Sequence, residues 1–405
     1  MFFIQFIGIY KHYKEFNFAI SVEEEYRENI VFPGVTICLD AWMDSVRTCA
    51  YTNNRCSRSD MTYSIGLYYV QTNPELRKFG AFPPSDLFDC TMKHPSCKSF
   101  KCKDAMRATY FRMPSQLCYT VDVTQYQNKV VSTCPYPWMY ELELKYKLNR
   151  SRVITFMPTN VFPLVVHAPN SAPPDRLTAI TMQPGAVFEV AMKQQRIRRL
   201  KAPYKSKCVD YGALGYKQEF GGYLNFDLCL QNCSMHLELK RCGCIRSAHE
   251  YAGHQRYPIC NFTYGDSCGH MMYASDVYKV CEKICGMPCE QISYDLKLVS
   301  LGLESGSTSD KKNKFTLKLS FGSDAEEVTK YVPAFTYTEC LAYIGAYMGT
   351  WIGIAYLDTL LSFESWYATN KRFIKHSMKS YVGMLVAPTP EPPMTGQGDA
   401  TMDPE

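Results

Sequence analysis

The chain has 405 residues, 46% of them hydrophobic and 20% charged, a formal net charge of +5, and 19 cysteines. So small a charge on so long a chain argues against a nucleic-acid-binding surface. The absence of HExxH, GxSxG and phosphate-loop motifs argues against an enzyme. Eighteen of the cysteines lie between Cys38 and Cys289, ahead of one long apolar segment, a usage that belongs to an oxidising compartment.

In chain order, Met1–Tyr10 (MFFIQFIGIY) is apolar but about half as long as a membrane helix requires. No basic start or small-residue cleavage site precedes Lys11 and His12, so a secretory signal does not fit. Residues 1–15 read instead as the outer part of a first transmembrane helix whose remainder is missing, with both natural termini cytoplasmic. Next come Cys49, Cys56, Cys90, Cys97, Cys102, Cys118 and Cys134, an odd set of seven for which Cys38 is the nearest extra partner. Their pairing is not assigned. The sequons at Asn149, Asn232 and Asn261 fit an extracellular location. From Arg152 to Leu200, apolar and polar residues alternate around Pro163, Pro173, Pro174 and Pro184-Gly185, which reads as strands separated by turns. The run Lys193, Arg196, Arg198, Arg199 and Lys201 reads as a solvated basic face.

Two cysteine-rich stretches follow, Cys229-x-x-x-Cys233 leading to Cys242-Gly-Cys244, and Cys281-x-x-x-Cys285-x-x-x-Cys289. A spacing of four places cysteines on one helix face. If two such helices run antiparallel, the bridges nest: Cys229 with Cys285, Cys233 with Cys281, and Cys208 with Cys289 outside. Cys242 with Cys268 and Cys244 with Cys260 then close the inner part. Sequence alone does not fix connectivity, and a zinc site is the competing reading. The eight histidines are scattered and suggest no metal site.

From Cys340 to Phe363 the chain runs CLAYIGAYMGTWIGIAYLDTLLSF, with Asp358 its one charge, about the length of a membrane span. Lys371, Arg372, Lys375 and Lys379 follow at once, which favours the cytoplasmic side for what lies beyond. The tail after Tyr381, rich in Pro, reads as disordered.

Several of these segments resemble one family. Phe32-Pro-Gly-Val-Thr-Ile-Cys38 looks like the FPAVTIC signature of the degenerin, epithelial sodium channel and acid-sensing ion channel family, with Gly34 where the family usually has Ala. Val166-His167, Pro173-Pro174, Gln183-Pro184-Gly185 and the run Arg199–Tyr204 before Cys208 are similar to its palm strands and the start of its thumb. The thumb's cysteine order fits as well. Ile344–Gly353 is similar to the IGGQMGLFIG run of its second span. Order and spacing agree from about Phe16 to Phe363, and Cys49 to Leu148 is the least alike.

The resemblance implies an α+β, two-span membrane protein with a large disulfide-rich extracellular domain of palm strands and a helical thumb, and a pore-lining second helix. The implied divisions are the truncated first helix at 1–15, an extracellular domain at 16–337 with the thumb at about 203–295, the second helix at 338–366 and a cytoplasmic tail at 367–405. The implied function is a subunit of a trimeric, amiloride-sensitive, sodium-permeable channel of the plasma membrane. The alternative is a non-conducting accessory subunit. Its partners are sodium ions, membrane lipid and related subunits in a homo- or heterotrimer, with no nucleic acid and no cofactor.

The family's filter of small residues falls on Gly353, Ile354 and Ala355, without its closing Ser. Gly345 and Gly349 are pore-lining, with Gly349 the position of the blocker contact, although a small-residue face also serves plain helix packing. Asp358 forms an acidic ring in place of the family's Glu, which corresponds here to Leu361, or else lies at the interface with Glu364. Phe16 and Tyr204 match an aromatic pair that couples thumb to gate, or are ordinary packing residues. The two acids that follow the palm His in acid-sensing members are Asn170 and Ser171 here, which withholds support for that proton pocket.

Overall fold

The computed structural model describes residues 2–26, 31–51, 79–112, 116–124, 136–154, 162–169, 171, 173, 180–214, 224–245, 274–307, 311, 313–352 and 358–371. The chain divides into two units, Phe16–Ala334, and Met1–Glu15 together with Phe335–Glu405.

The larger unit is built on strands. The first are β1 (Phe18–Tyr26), β2 (Gly34–Leu39), β3 (Met43–Asp44), β4 (Phe88–Lys93), β5 (Phe100–Lys101), β6 (Met106–Arg112) and β7 (Gln116–Val121). They are followed by β8 (Glu141–Lys147), β9 (Val153–Ile154), β10 (Phe162–His167), β11 (Ile180–Met182), β12 (Ala186–Arg198), β13 (Glu290–Leu303), β14 (Lys314–Phe321) and β15 (Ala325–Pro333). An eight-stranded sheet runs β1-β15-β12-β14-β8-β4-β5, with β13 on the other edge of β12. A five-stranded sheet runs β11-β10-β2-β7-β6, and β3 pairs with β9.

The spine is β12. Ala186, Phe188, Val190 and Met192 are buried while the residues between them are not, the period-two pattern of a strand with one face on a core. Along one edge β12 pairs parallel first with β14 (Val187↔Thr316) and then with β15 (Gln195↔Glu327). The register shifts by three residues at Gly322–Asp324, so β14 and β15 are one strand interrupted by a short excursion, pinned where Gly322 N–H donates to Met192 O at 3.0 Å. β1 pairs antiparallel with β15 from Phe18↔Pro333 to Tyr26↔Ala325, which ties the two ends of this unit together.

The sheets share a core in which Ile37, Leu39, Trp42, Tyr119, Leu142, Leu144, Phe315 and Leu317 are fully buried. Each such side chain contributes roughly 1.5–3 kcal/mol by leaving water. Tyr146 stacks on Phe315 at 4.8 Å, and the Tyr119 hydroxyl donates to Phe82 O at 3.0 Å. Pro163 sits inside β10 rather than in a turn. It pairs with Thr181 of the three-residue β11, before the pairing with β2 begins at Leu164, so its missing N–H is lost where the ladder is thinnest. Pro184-Gly185 is a turn, with Gly185 at φ 88° and its N–H on Lys314 O at 2.7 Å.

The basic run differs from the solvated face expected of it, because every member has a partner. Lys193 bonds Glu24 (3.1 Å) and Glu327 (3.3 Å), Arg196 bonds Glu290 and Glu326, and Arg198 lies 3.6 Å from Glu25. Arg199 donates to Pro288 O and Gln291, and Lys201 bonds Asp210 at 2.7 Å. The acids come from β1, β13, β15 and the thumb, distant segments that alternation along one strand cannot reveal.

Between β12 and β13 the described residues hold two helices, α2 (Phe226–Cys242) and α3 (Ala274–Cys285), and α1 (Phe2–Lys14) precedes them in the chain. Asn225 caps α2 by accepting from Leu228 N–H at 2.8 Å, and Gly243 ends it at φ 70°. From Glu290 the chain is in β13, paired with Arg198.

The smaller unit holds α1, α4 (Tyr337–Ile352) and a helix α5 at 358–371, with Tyr13 edge-on to Tyr337 at 6.3 Å. The expected second span at 338–366 includes residues 353–357, which lie outside the described residues. Among the described residues no helix is long and apolar enough to cross a membrane. Helix α4 begins one residue before the expected boundary because Thr336 and Glu339 form a capping box, Glu339 N–H on Thr336 Oγ1 at 3.2 Å and Thr336 N–H on Glu339 Oε2 at 2.7 Å. The expected tail is helical to 371, and the rest of it lies outside the described residues.

Candidate functional site

The thumb's helices meet along a seam of Leu230, Val277, Cys281 and Cys285, with Phe226 and Leu237 beside it. Three disulfides cross this region: Cys229–Cys285, Cys233–Cys281 and, at its foot, Cys208–Cys289. Spacing by four on antiparallel helices nests them, and the small apolar seam makes them the main restraint on the pair. Cys242 and Cys244 are disulfide-bonded too, while Cys260 and Cys268 lie outside the described residues. Upstream, Cys38 joins Cys118 and Cys90 joins Cys102; Cys49 and Cys97 are also bonded. Cys340 is the free thiol among the described residues. No cluster of His, Cys, Asp or Glu among them has the makings of a metal site.

At the foot of the thumb Phe16 meets Tyr204 edge-on, ring centroids 5.7 Å apart at 80°. Lys205 N–H donates to Phe16 O at 3.3 Å, and Lys205 Nζ to Asn17 Oδ1 at 2.5 Å. Phe16 holds φ at 47°, a left-handed conformation that costs a bulky side chain roughly 1–2 kcal/mol. The contact and the two hydrogen bonds hold it there.

Gly345 and Gly349 lie one turn apart on α4, both half-buried. Gly353, Ile354 and Ala355 lie outside the described residues, and Asp358 is exposed. Of the sequons, Asn149 is exposed just before a 3-10 turn, Asn232 is half-buried within α2, and Asn261 is outside the described residues.

A buried polar assembly escaped the sequence reading. His167 is buried; its Nδ1–H donates to Ala168 O at 2.9 Å, which leaves Nε2 to accept from Thr36 Oγ1 at 2.9 Å. Thr36 lies 2.8 Å from Thr120, and Thr120 lies 2.8 Å from Thr109, a hydroxyl chain across β2, β7 and β6. Burial pushes the His167 pKa down to about 4. Gly34 lies beneath the ring, where a Cβ would stand 2.5 Å from His167 Cε1, which accounts for Gly at this place in the motif. Ser171 donates to Ala168 O at 2.6 Å, and Asn170 lies outside the described residues.

Asp40 follows directly on β2, two residues after Cys38, and takes a side-chain hydrogen bond from Gln116. It is 3% exposed, one oxygen lacks a hydrogen bond, and burial pushes its pKa up to about 6 against the hydrogen bond from Gln116. The disulfide beside it packs on Leu228 of α2. Alternation from the buried Cys38 was the available signal for both Thr36 and Asp40.

The family model of the amiloride-sensitive sodium channel matches residues 1–358. The chain belongs to this family. Among curated relatives, the Xenopus laevis epithelial sodium channel subunit beta-2 is 21% identical over 192 residues, 44% of this chain and 29% of that protein. The match thus spans less than a third of the relative's length. A cryo-EM structure of a proton-activated chloride channel aligns over 89% of this chain and 91% of its own at 6% identity, with a TM-score of 0.34, a likeness too loose to carry an argument. The mixed sheets and disulfides described above fit the fold of the amiloride-sensitive sodium channel family.

Proposed function

We propose that the chain is a subunit of a trimeric, sodium-permeable, amiloride-sensitive channel of the plasma membrane, with Phe16–Ala334 outside the cell. The membership of residues 1–358 in the amiloride-sensitive sodium channel family carries this reading. Supporting it, helices from both ends of the chain pack together, and their apolar side chains face outward: Phe3 is 75% exposed, Ile4 74%, Phe363 61% and Trp366 59%. In water such a surface is costly, while lipid and neighbouring subunits would cover it. The run Cys340–Phe363 is the proposed pore-lining span, with Gly345 and Gly349 on its lining, the latter at the blocker contact, Gly353, Ile354 and Ala355 as its filter, and Asp358 as an acidic ring. Small residues let the backbones of three subunits approach one another and present carbonyls to the ion.

Asp358→Asn is expected to lower single-channel sodium conductance in patch recordings, because it removes three negative charges from the ion path. An unchanged unitary current would remove Asp358 from the pore.

Phe16 and Tyr204 are proposed to couple the thumb to the gate. An aromatic contact contributes about 0.5–1.5 kcal/mol, so a double-mutant cycle of Phe16→Ala and Tyr204→Ala is expected to show coupling of that size in the open–closed equilibrium. Additive effects would reduce the contact to packing.

The missing filter Ser and Leu361 favour a second reading, a non-conducting accessory subunit. It predicts surface expression without current alone and altered current with a related subunit.

A further inference from the structure

We propose that Asn149 carries an N-linked glycan and that Asn232 does not, an assignment that rests on Phe16–Ala334 being extracellular. The two sequons differ in what their backbones do. Asn149 is exposed, and its Oδ1 accepts from Ser151 N–H at 3.2 Å and from Ser151 Oγ–H at 2.7 Å. The Asn side chain and the hydroxyl two residues on therefore meet in an Asx turn. The hydroxyl draws charge toward the amide oxygen and acidifies the N–H, and Nδ2 takes no other partner among the described residues. The turn closes with Arg152 N–H on Asn149 O at 3.1 Å, so its hydrogen bonds are local.

Asn232 lies within α2, where residues two apart point to nearly opposite sides, so the Ser234 hydroxyl cannot reach its amide. Its neighbour Cys233 is bridged to Cys281, and its side chain is half-buried on the flank of the thumb seam. Sugar there would crowd the pairing of α2 with α3.

The donor is an oligosaccharide on a polyisoprenyl diphosphate, presented by the transferase of the secretory pathway. Nδ2 of Asn149 attacks the anomeric carbon, and the bond from that carbon to the diphosphate oxygen breaks. The lipid diphosphate leaves with the electron pair, and one amide proton passes to a base of the transferase. The product is a surface glycan at the end of β8, which marks that corner of the eight-stranded sheet as solvent-facing in the assembled protein.

The test is expression of the full chain in animal cells, glycopeptide mass spectrometry, and peptide-N-glycosidase shifts for wild type, Asn149→Gln, Asn232→Gln, Ser151→Ala and Ser151→Thr. The expected result is sugar on Asn149, lost in Asn149→Gln and Ser151→Ala, kept in Ser151→Thr, and untouched by Asn232→Gln. Sugar on Asn232, or a bare Asn149 beside an occupied Asn261, overturns the assignment while leaving the extracellular reading standing. No sugar at any sequon on a chain that labels at the cell surface also overturns it. A chain that never reaches the secretory pathway, with its thumb cysteines reduced, overturns the extracellular reading and the assignment with it.

Discussion

Cys229→Ser with Cys285→Ser is expected to loosen the thumb by about 2–3 kcal/mol, and Cys90→Ser with Cys102→Ser to cost about 3 kcal/mol. The two are similar because the neighbouring Cys233–Cys281 bridge leaves Cys229–Cys285 only a short loop to close, while Cys90 and Cys102 are 12 residues apart, on the chain-entropy account. Replacing both partners avoids a stray thiol. The thumb is the more sensitive because its seam holds only a small buried cluster, while the segment around Cys90 is backed by the main core. Hydrogen exchange read by mass spectrometry reports on both. Protection in 226–242 and 274–285 is expected to fall in the first variant and to persist in the second. Unchanged exchange in α2 and α3 would show that packing and the remaining bridges hold the hairpin without Cys229–Cys285.

Asp40→Asn is expected to stabilise the Phe16–Ala334 unit by about 1–3 kcal/mol at pH 7.5 and to change little near pH 4. The Asp40 pKa is raised from 3.8 to about 6 by burial, so the folded state holds its proton more tightly. That contribution is fully present below about 3.8 and is lost as pH rises through about 6. His167 acts in the opposite sense. Its pKa is lowered from 6.5 to about 4, so its contribution is present above about 6.5 and is lost as pH falls toward about 4. Between about 4 and 6 the two slopes oppose each other. Removing Asp40 exposes the His167 slope, and urea midpoints of the variant should fall steadily from pH 6.5 to 4 while those of the wild type change less. Parallel pH profiles for the two proteins would contradict the burial of Asp40 as a charged group at neutral pH.

Local patterns carried much of the architecture. Alternation marked β12, and four-residue spacing placed Cys229, Cys233, Cys281 and Cys285 on facing helices. Other features depend on residues far apart in the chain. The pairing of Phe18 with Pro333, the partners of the basic run on β12, and the break between β14 and β15 leave no periodic trace. Pro163 read as a turn because proline usually ends a strand, and only the shortness of β11 lets it stay. The hydroxyl chain from Thr109 to His167 was hidden because Thr is an ordinary strand residue until three of them converge on one histidine. Asp40 was hidden for a related reason, since an acid just beyond a strand reads as solvated unless the face it occupies is known to be covered. The start of α4 at Tyr337 is set by the capping bonds between Thr336 and Glu339.

The central claim is that this chain forms a sodium-permeable pore. Its most direct test is two-electrode recording from oocytes expressing the full transcript, with sodium replaced by potassium and with amiloride added and removed. A current that amiloride blocks and that falls on sodium removal is the predicted result. Strong surface labelling with no current, alone or with related subunits, would contradict it.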